Sequence, residues 1–283
     1  MCLKKLKLWF VTIFIIGGLS LSACTLTQGE VLPTETSMVT TTVIQQPQPT
    51  ATEVTQVATV ALPTAELTVI PTATVVVIEQ KTLMDEGEDP KYTVELNYPF
   101  IAGMEAFNQA SQAIAERIAD AFLENLATNP PVGELSQMSF SSVSMDYSVL
   151  EETPEVISVY FQISEYYSGA AHPLPFSEVL NYDLRNQKVL ALSDLFQPGA
   201  DYLQLLSDYA IDALADKEGY SFPEGAAPKA ENYQIWNLTP DGLQITFDPY
   251  QVGPYAAGYI TVEVPFDVLM GIANPNRVLS NRP

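Results

Sequence analysis

The sequence predicts an α+β domain: an antiparallel sheet with two main helices packed on one side, preceded by a disordered stalk. Three observations carry that prediction. Short runs alternate apolar and polar residues at period two, as strands with one buried face do. Two longer stretches repeat their apolar residues at helical spacing. Ahead of both lies Thr25 to Thr74, a segment without an aromatic residue, a lysine or an arginine.

That segment is rich in Thr, Val, Pro and Gln, with Pro33, Pro47, Pro49, Pro63 and Pro71 spread through it. Such a composition buries too little apolar area to offset the entropy of ordering, so it reads as a stalk. A flexible chain of about 50 residues averages roughly 40 Å end to end. Before it, Lys4, Lys5 and Lys7 form a basic n-region, and Leu8 to Leu19 an apolar core short for a membrane span. Leu21-Ser22-Ala23-Cys24 then fits a lipobox, in which small residues admit the signal peptidase and Cys24 takes a diacylglyceryl group, the alternatives being a plain signal peptide or an uncleaved anchor helix. The expected location is the extracytoplasmic face of the cell membrane, with the lipid anchor as the only membrane contact. Cleavage removes Cys2 and leaves Cys24 as the one mature cysteine, so neither a disulfide framework nor a Cys/His metal cluster is expected. The expected partition is residues 1–24 signal peptide, 25–74 linker and 75–283 folded domain, with halves of about 75–150 and 151–283.

Within the domain, Val75 to Ile78 reads as a first strand and Asp85 to Pro90 as an acidic turn. Tyr92, Val94, Leu96 and Tyr98 alternate into a second strand that stops at Pro99, making a hairpin. Met104, Phe107, Ala110, Ile114, Ile118, Phe122 and Leu126 form the stripe of the first helix, which Asn129-Pro130-Pro131 ends. Phe140, Val143, Met145, Tyr147 and Val149 mark a third strand, and Glu151 to Glu155 a turn. In the stretch Ser158–Phe196, Val159, Phe161 and Ile163 alternate with Ser158, Tyr160, Gln162 and Ser164. Farther on, Leu180, Tyr182 and Leu184 alternate with Asn181 and Asp183 before the polar turn Arg185 to Lys188. Asp201 caps a second helix with Leu203, Leu206, Ala210, Ala213 and Leu214 as its apolar positions. Tyr233 to Leu238 and Leu243 to Phe247 flank the turn Pro240-Asp241-Gly242. Tyr259 to Val264 is the last strand, and Phe266 to Ile272 a short helix.

Motifs for known chemistries are missing: the chain has no Gly-x-Ser-x-Gly, His-Glu-x-x-His, P-loop or Gly-x-Gly-x-x-Gly. No catalytic, cofactor-binding or metal-ligating residue is expected. His172, the single histidine, is either a structural side chain that locks its loop through a carbonyl or carboxylate, or a general base. Tyr166, Tyr167, Tyr250 and Tyr255 sit in Gly/Pro-bearing loops, where aromatic rings either offer rigid contact area to a partner or cover the end of a sheet. Asn237-Leu238-Thr239 fits a glycosylation sequon, a pattern of little weight in a bacterial lipoprotein. Charge says more. Removing Lys4, Lys5 and Lys7 from 12 basic residues leaves 9 against 34 acidic ones, a mature net charge of −25. Such a chain repels nucleic acid and anionic lipid, and attracts cationic proteins, unless its acidity serves solubility alone.

Three stretches resemble a known family. They are Tyr98-Pro99 with Gly103 and Asn108; the loop Gly169-Ala170-Ala171-His172-Pro173 with Asn181-Tyr182-Asp183-Leu184 and Leu192-Ser193-Asp194-Leu195-Phe196; and Phe247-Asp248-Pro249-Tyr250-Gln251-Val252-Gly253-Pro254-Tyr255-Ala256-Ala257-Gly258. In this order they resemble the extracytoplasmic domain of RsiV-type anti-sigma factors and the domain found beside PdaC-type peptidoglycan deacetylases. The similarity spans about Val75 to Ile272. It implies a non-enzymatic cell-surface domain that binds a protein or cell-wall ligand, lysozyme being the ligand in the RsiV case. The alternative is a cell-wall enzyme, or an accessory domain of one. The loops supply the candidate ligand-binding residues Tyr166, Tyr167, Gly169, His172, Tyr250, Pro254 and Tyr255. Two departures stand out. The histidine loop has Ala170 where the family usually has a second glycine, and no cytoplasmic region precedes the hydrophobic segment, so signalling by the anti-sigma route is not expected.

Overall fold

The computed structural model describes residues 77–131 and 140–275, together with Leu279. The expected signal peptide, Cys24, the expected stalk, and Val75 and Val76 of the expected first strand lie outside these residues. The described residues fall in one compact unit, and within it two sheets each own a hydrophobic core.

The first sheet has the order β1-β2-β3-β4-β5-β6. β1 (Ile78–Glu88) and β2 (Lys91–Ile101) form the expected hairpin, in unbroken antiparallel register from Ile78–Ile101 to Glu88–Lys91. The strand bounds differ from those read in the sequence. Asp85 to Glu88 belong to β1, because an edge strand exposed on both faces keeps its carboxylates in water and needs no apolar alternation. β2 also continues through Pro99. The backbone N–H and C=O of Ile101 turn away from β1 to the Asn108 side chain, both at 2.8 Å. By the two-residue repeat, Pro99 turns its missing N–H to that same side, where pairing with β3 has already ended.

α1 (Glu105–Thr128) is the predicted first helix. It is a crossover, and this reverses one expectation: β2 and β3 (Ser141–Glu152) run parallel, from Tyr92–Ser141 to Leu96–Met145. A helix of 24 residues, about 36 Å long, carries the chain from the Ile101 end of β2 back to the Tyr92 end, where β3 begins. β4 (Val156–Tyr166), β5 (Leu174–Asp183) and the two-residue β6 (Lys188–Val189) complete the sheet with antiparallel pairings. Phe107, Ile118, Phe122 and Leu126 of α1 share a core with Val94, Leu96, Val143, Met145, Val159, Phe161, Ile163, Leu180 and Tyr182. That stripe is core, as its spacing indicated.

The second sheet is β7 (Trp236–Leu238), β8 (Gly242–Phe247) and β9 (Ile260–Pro265), all antiparallel. Its core holds Leu206, Ala210 and Leu214 of α2 (Tyr202–Leu214), together with Phe266 and Leu269 of the short α3 (Phe266–Leu269). The Asp201 side chain caps α2 by accepting from Gln204 N–H at 3.3 Å. The fold class therefore remains α+β, but one antiparallel sheet bearing both helices is replaced by a mixed sheet and a small antiparallel sheet, with one main helix in each core.

The second core also changes the outer face of β4 and β5. Asn181 and Asp183 alternate with apolar residues, yet are 2% and 3% exposed. For Asn181 the cause is β7, which packs over β3, β4 and β5, while Asp183 accepts from Asn186 N–H at 2.8 Å and from its Nδ2 at 2.7 Å. Ser158 Oγ donates to Asn181 Oδ1 at 2.6 Å and accepts from Leu238 N–H at 3.0 Å and Asn237 Nδ2 at 2.9 Å. Asn181 Nδ2 in turn donates to the Trp236 carbonyl at 2.7 Å. This buried network stitches the two sheets together and leaves the sequon asparagine, Asn237, fully enclosed.

Candidate ligand-binding site

Two loops that are far apart in the chain meet at one end of β5. The loop after β4 is folded by Gly169, whose φ of +93° suits the third position of a turn closed by Ala170 N–H on the Tyr167 carbonyl at 2.9 Å. It delivers His172, whose Nδ1 lies 2.8 Å from the Pro173 carbonyl. The His172 ring lies against Tyr255, with centroids 4.3 Å apart and planes tilted by 31°. Tyr255 donates its hydroxyl to the same Pro173 carbonyl at 3.3 Å and sits 5.6 Å from Tyr250. His172, Tyr250 and Tyr255 thus form one aromatic shelf, with exposed Pro173, Leu174 and Pro254 in the same loops.

The remaining sequence candidates part company with the shelf. Tyr167 stacks on Phe122 of α1 with centroids 5.3 Å apart, so it closes the first core. Tyr166 ends β4, opposite Ser142.

The shelf is held rigidly from behind. Gly253 approaches so close to the backbone that a Cβ would lie 2.2 Å from the Gly219 carbonyl oxygen. Val252 C=O accepts from Ser221 and Phe222, both at 3.0 Å, and Gln251 Nε2 donates to the carbonyls of Gly225 and Asn232. Tyr250 occupies the third position of the turn Asp248–Gln251 with φ +75°, a place that favours glycine. A bulky ring there costs about 1 kcal/mol or more, and it remains 54% exposed. Tyr250→Gly is therefore expected to raise stability by about 1 kcal/mol, measured by denaturant unfolding. Unchanged or lower stability would show that the ring repays its strain locally.

Beneath the shelf lies a polar group that the sequence did not single out. Asp248 accepts from Ser177 N–H at 3.0 Å and from Ser177 Oγ at 2.6 Å, and Ser177 Oγ lies 2.7 Å from Tyr160 OH. Burial pushes the Asp248 carboxyl above its ordinary value although both serine bonds favour the ionised form. Burial likewise pushes the Tyr160 hydroxyl up to about 12, and Tyr259 upward with the nearby Asp248 charge adding to it. The pair Asp248–Ser177 spans 71 residues of sequence, so no local pattern announces it.

A carboxyl with a raised folded pKa binds its proton first in the folded state. Its ionised form costs stability at neutral pH, and that cost fades as pH falls through the folded value towards 3.8. Asp248→Asn should flatten this part of the stability profile and match or exceed the parent above it. Thermal unfolding of both proteins between about pH 4 and 7 checks this. Parallel profiles would count against it.

Ser177, Asp248 and Gln251 also line a cleft of about 240 Å³ between residues 176–179 of β5 and residues 231–235. A roomier hollow of about 480 Å³ is lined by Met84–Glu86 and Thr93–Glu95 of the β1–β2 hairpin, away from the shelf. The shelf and cleft share the loop 248–251, and they make the better candidate because rigid aromatic rings and positioned polar groups converge there.

Comparison with known proteins places these loops in two matched regions. Residues 86–175 match the family model described as Deacetylase PdaC, and residues 193–267 match the one described as a protein of unknown function, DUF3298. The peptidoglycan-N-acetylmuramic acid deacetylase PdaC of Bacillus subtilis is 30% identical over 189 residues, which are 65% of this chain and 38% of that protein. The immunogenic protein MPT64 of Mycobacterium tuberculosis is 23% identical over 184 residues, 62% of this chain and 76% of its own. Among crystal structures, a DUF3298 family protein from Pseudomonas aeruginosa aligns with a TM-score of 0.52 at 16% identity, covering 70% of this chain and 95% of its own. One from Bacteroides fragilis aligns at 0.50 and 18%, covering 72% and 97%. These two share the fold. His172 falls in the first matched region, and Asp248, Tyr250 and Tyr255 in the second.

Proposed function

We propose that this chain is a non-enzymatic binding module of the cell envelope, whose aromatic shelf takes a cationic extracellular protein, with lysozyme the first candidate. The carrying observation is the shelf itself: three exposed or half-exposed rings from two distant loops, fixed by close backbone packing. Rigid aromatic side chains give contact area at little entropic cost. The net charge of −22 supports a cationic partner, because long-range attraction speeds encounter. The lipobox at Cys24 and the Thr/Pro-rich stalk fit a module tethered to the outer face of the membrane. The resemblance of the loops to RsiV-type domains points to the same ligand.

A second reading, a peptidoglycan-active enzyme or its accessory domain, is favoured by the similarity to PdaC. This chain spans only 38% of that deacetylase's length. One experiment addresses both readings. The whole protein is titrated with a c-type lysozyme and with an unrelated protein of similar positive charge, at low and physiological salt. In parallel it is incubated with purified peptidoglycan. The binding reading expects saturable lysozyme binding that survives physiological salt, no such binding by the control, and no released product. Equal binding to both proteins that salt erases reduces the interaction to charge alone. Deacetylated or fragmented peptidoglycan that disappears in His172→Ala overturns the non-enzymatic reading.

A further inference from the structure

The cleft beside the shelf runs along a free strand edge. In an antiparallel strand, alternate residues turn both backbone polar groups to the same side. Ser177 N–H reaches Asp248, and the Asn181 carbonyl accepts from Leu190 N–H at 2.8 Å. Both point away from β4, so the odd-numbered residues of β5 face outward. On that side β6 pairs only with Tyr182 and Asp183. The edge is therefore closed at one end by β6 and at the other by the Asp248 carboxylate on Ser177 N–H. Between these closures, the Ser177 carbonyl and the N–H and carbonyl of Val179 face the cleft. Among the described residues they have no hydrogen-bond partner outside the ladder.

We propose that this edge is a strand-addition site, in which an extended basic segment of the partner pairs with Val179 and Ser177. Paired antiparallel, a residue opposite Val179 would exchange two backbone hydrogen bonds with it, and the residue two positions on would donate to the Ser177 carbonyl. The chemistry of the guest follows from the walls. Glu178 already holds Arg117 of α1 at 3.0 Å, while Glu231 stands exposed on the facing wall and Asp248 closes the end. A lysine or arginine side chain beside the added strand meets the exposed Glu231, whereas acidic segments are repelled. Tyr250, carried by the loop that closes the cleft, lets one partner touch shelf and edge together. The proposal rests on the reading that the partner is a cationic protein, and adds how its backbone is held.

The test uses the full chain with two probes, a c-type lysozyme and a capped hexapeptide of alternating lysine and valine. Amide hydrogen exchange at Val179 is followed with and without each probe. The expected result is at least tenfold slower exchange at Val179 on saturation with either. Val179→Pro, which removes the edge N–H at a position where an edge strand tolerates proline, and Glu231→Lys should each weaken peptide binding at least tenfold. If Val179→Pro does not fold, exchange at Val179 in the parent chain decides. Unchanged Val179 exchange at saturation overturns the edge site. If lysozyme binding is then still lost in Tyr255→Ala, the shelf reading survives alone. Protection of Val179 by the peptide without any lysozyme binding supports the edge and overturns lysozyme as the partner. Binding of neither probe overturns both.

Discussion

Asn181→Ala is expected to lower the unfolding free energy by about 3 kcal/mol. The side chain is 2% exposed and spends both ends on buried partners, Ser158 Oγ at 2.6 Å and the Trp236 carbonyl at 2.7 Å. Truncation leaves that carbonyl without its donor and the serine hydroxyl without its acceptor. Each orphaned group costs about 1–3 kcal/mol when water cannot reach it. The volume of the lost amide adds a small cavity term. Ser144, exposed on β3, is the control, since Ser144→Ala should stay within about 0.5 kcal/mol. Denaturant unfolding of the three proteins measures both effects. A loss below about 1 kcal/mol for Asn181→Ala would mean that water repairs the gap, and that the apolar cores rather than this network join the two sheets.

The reason this network escaped sequence reading bears on how much of the fold was legible. Period-two alternation reports one buried face, and Val159, Phe161, Ile163, Leu180 and Tyr182 reported it correctly. Ser158 and Asn181 looked like the solvent side of the same strands because a polar residue under a second sheet has no pattern of its own. Local chemistry fared better. The apolar stripe of α1, the Asp201 cap of α2 and the Pro240-Asp241-Gly242 turn are each encoded within a few residues and were found where expected. Direction and partnership were not. The parallel pairing of β2 with β3 depends on the helix crossing over the sheet, and the charged edge strand β1 carries none of the alternation that marks a buried strand. The site divides the same way. Loop composition flagged His172, Tyr250 and Tyr255 singly, but their meeting, and the clasp of Asp248 on Ser177, are facts of tertiary structure.

Tyr167 and Tyr255 make the sharpest comparison, because both were aromatic loop residues in the sequence and the structure places one against the first core and the other in the exposed shelf. Tyr255→Ala is expected to weaken lysozyme binding about thirtyfold, or about 2 kcal/mol, the size of a binding hot spot. The ring sits between His172 and Tyr250, so its removal takes away contact area and also frees both neighbours to move. Its folding contacts are few: a 3.3 Å hydrogen bond to the Pro173 carbonyl on an exposed loop adds little to stability. Tyr167→Ala should do the reverse. Its ring stacks on Phe122, a fully buried side chain of α1, and is itself half buried against the first core. Losing it should cost about 2 kcal/mol of folding stability, below the full-burial figure because the ring is only partly enclosed. Lysozyme affinity should stay within about twofold, since the ring faces the core and not the shelf. Titration calorimetry and denaturant unfolding on the same two variants separate the effects. Equal losses of affinity would put the binding surface on the whole loop after β4. No loss in Tyr255→Ala would remove the shelf from binding altogether.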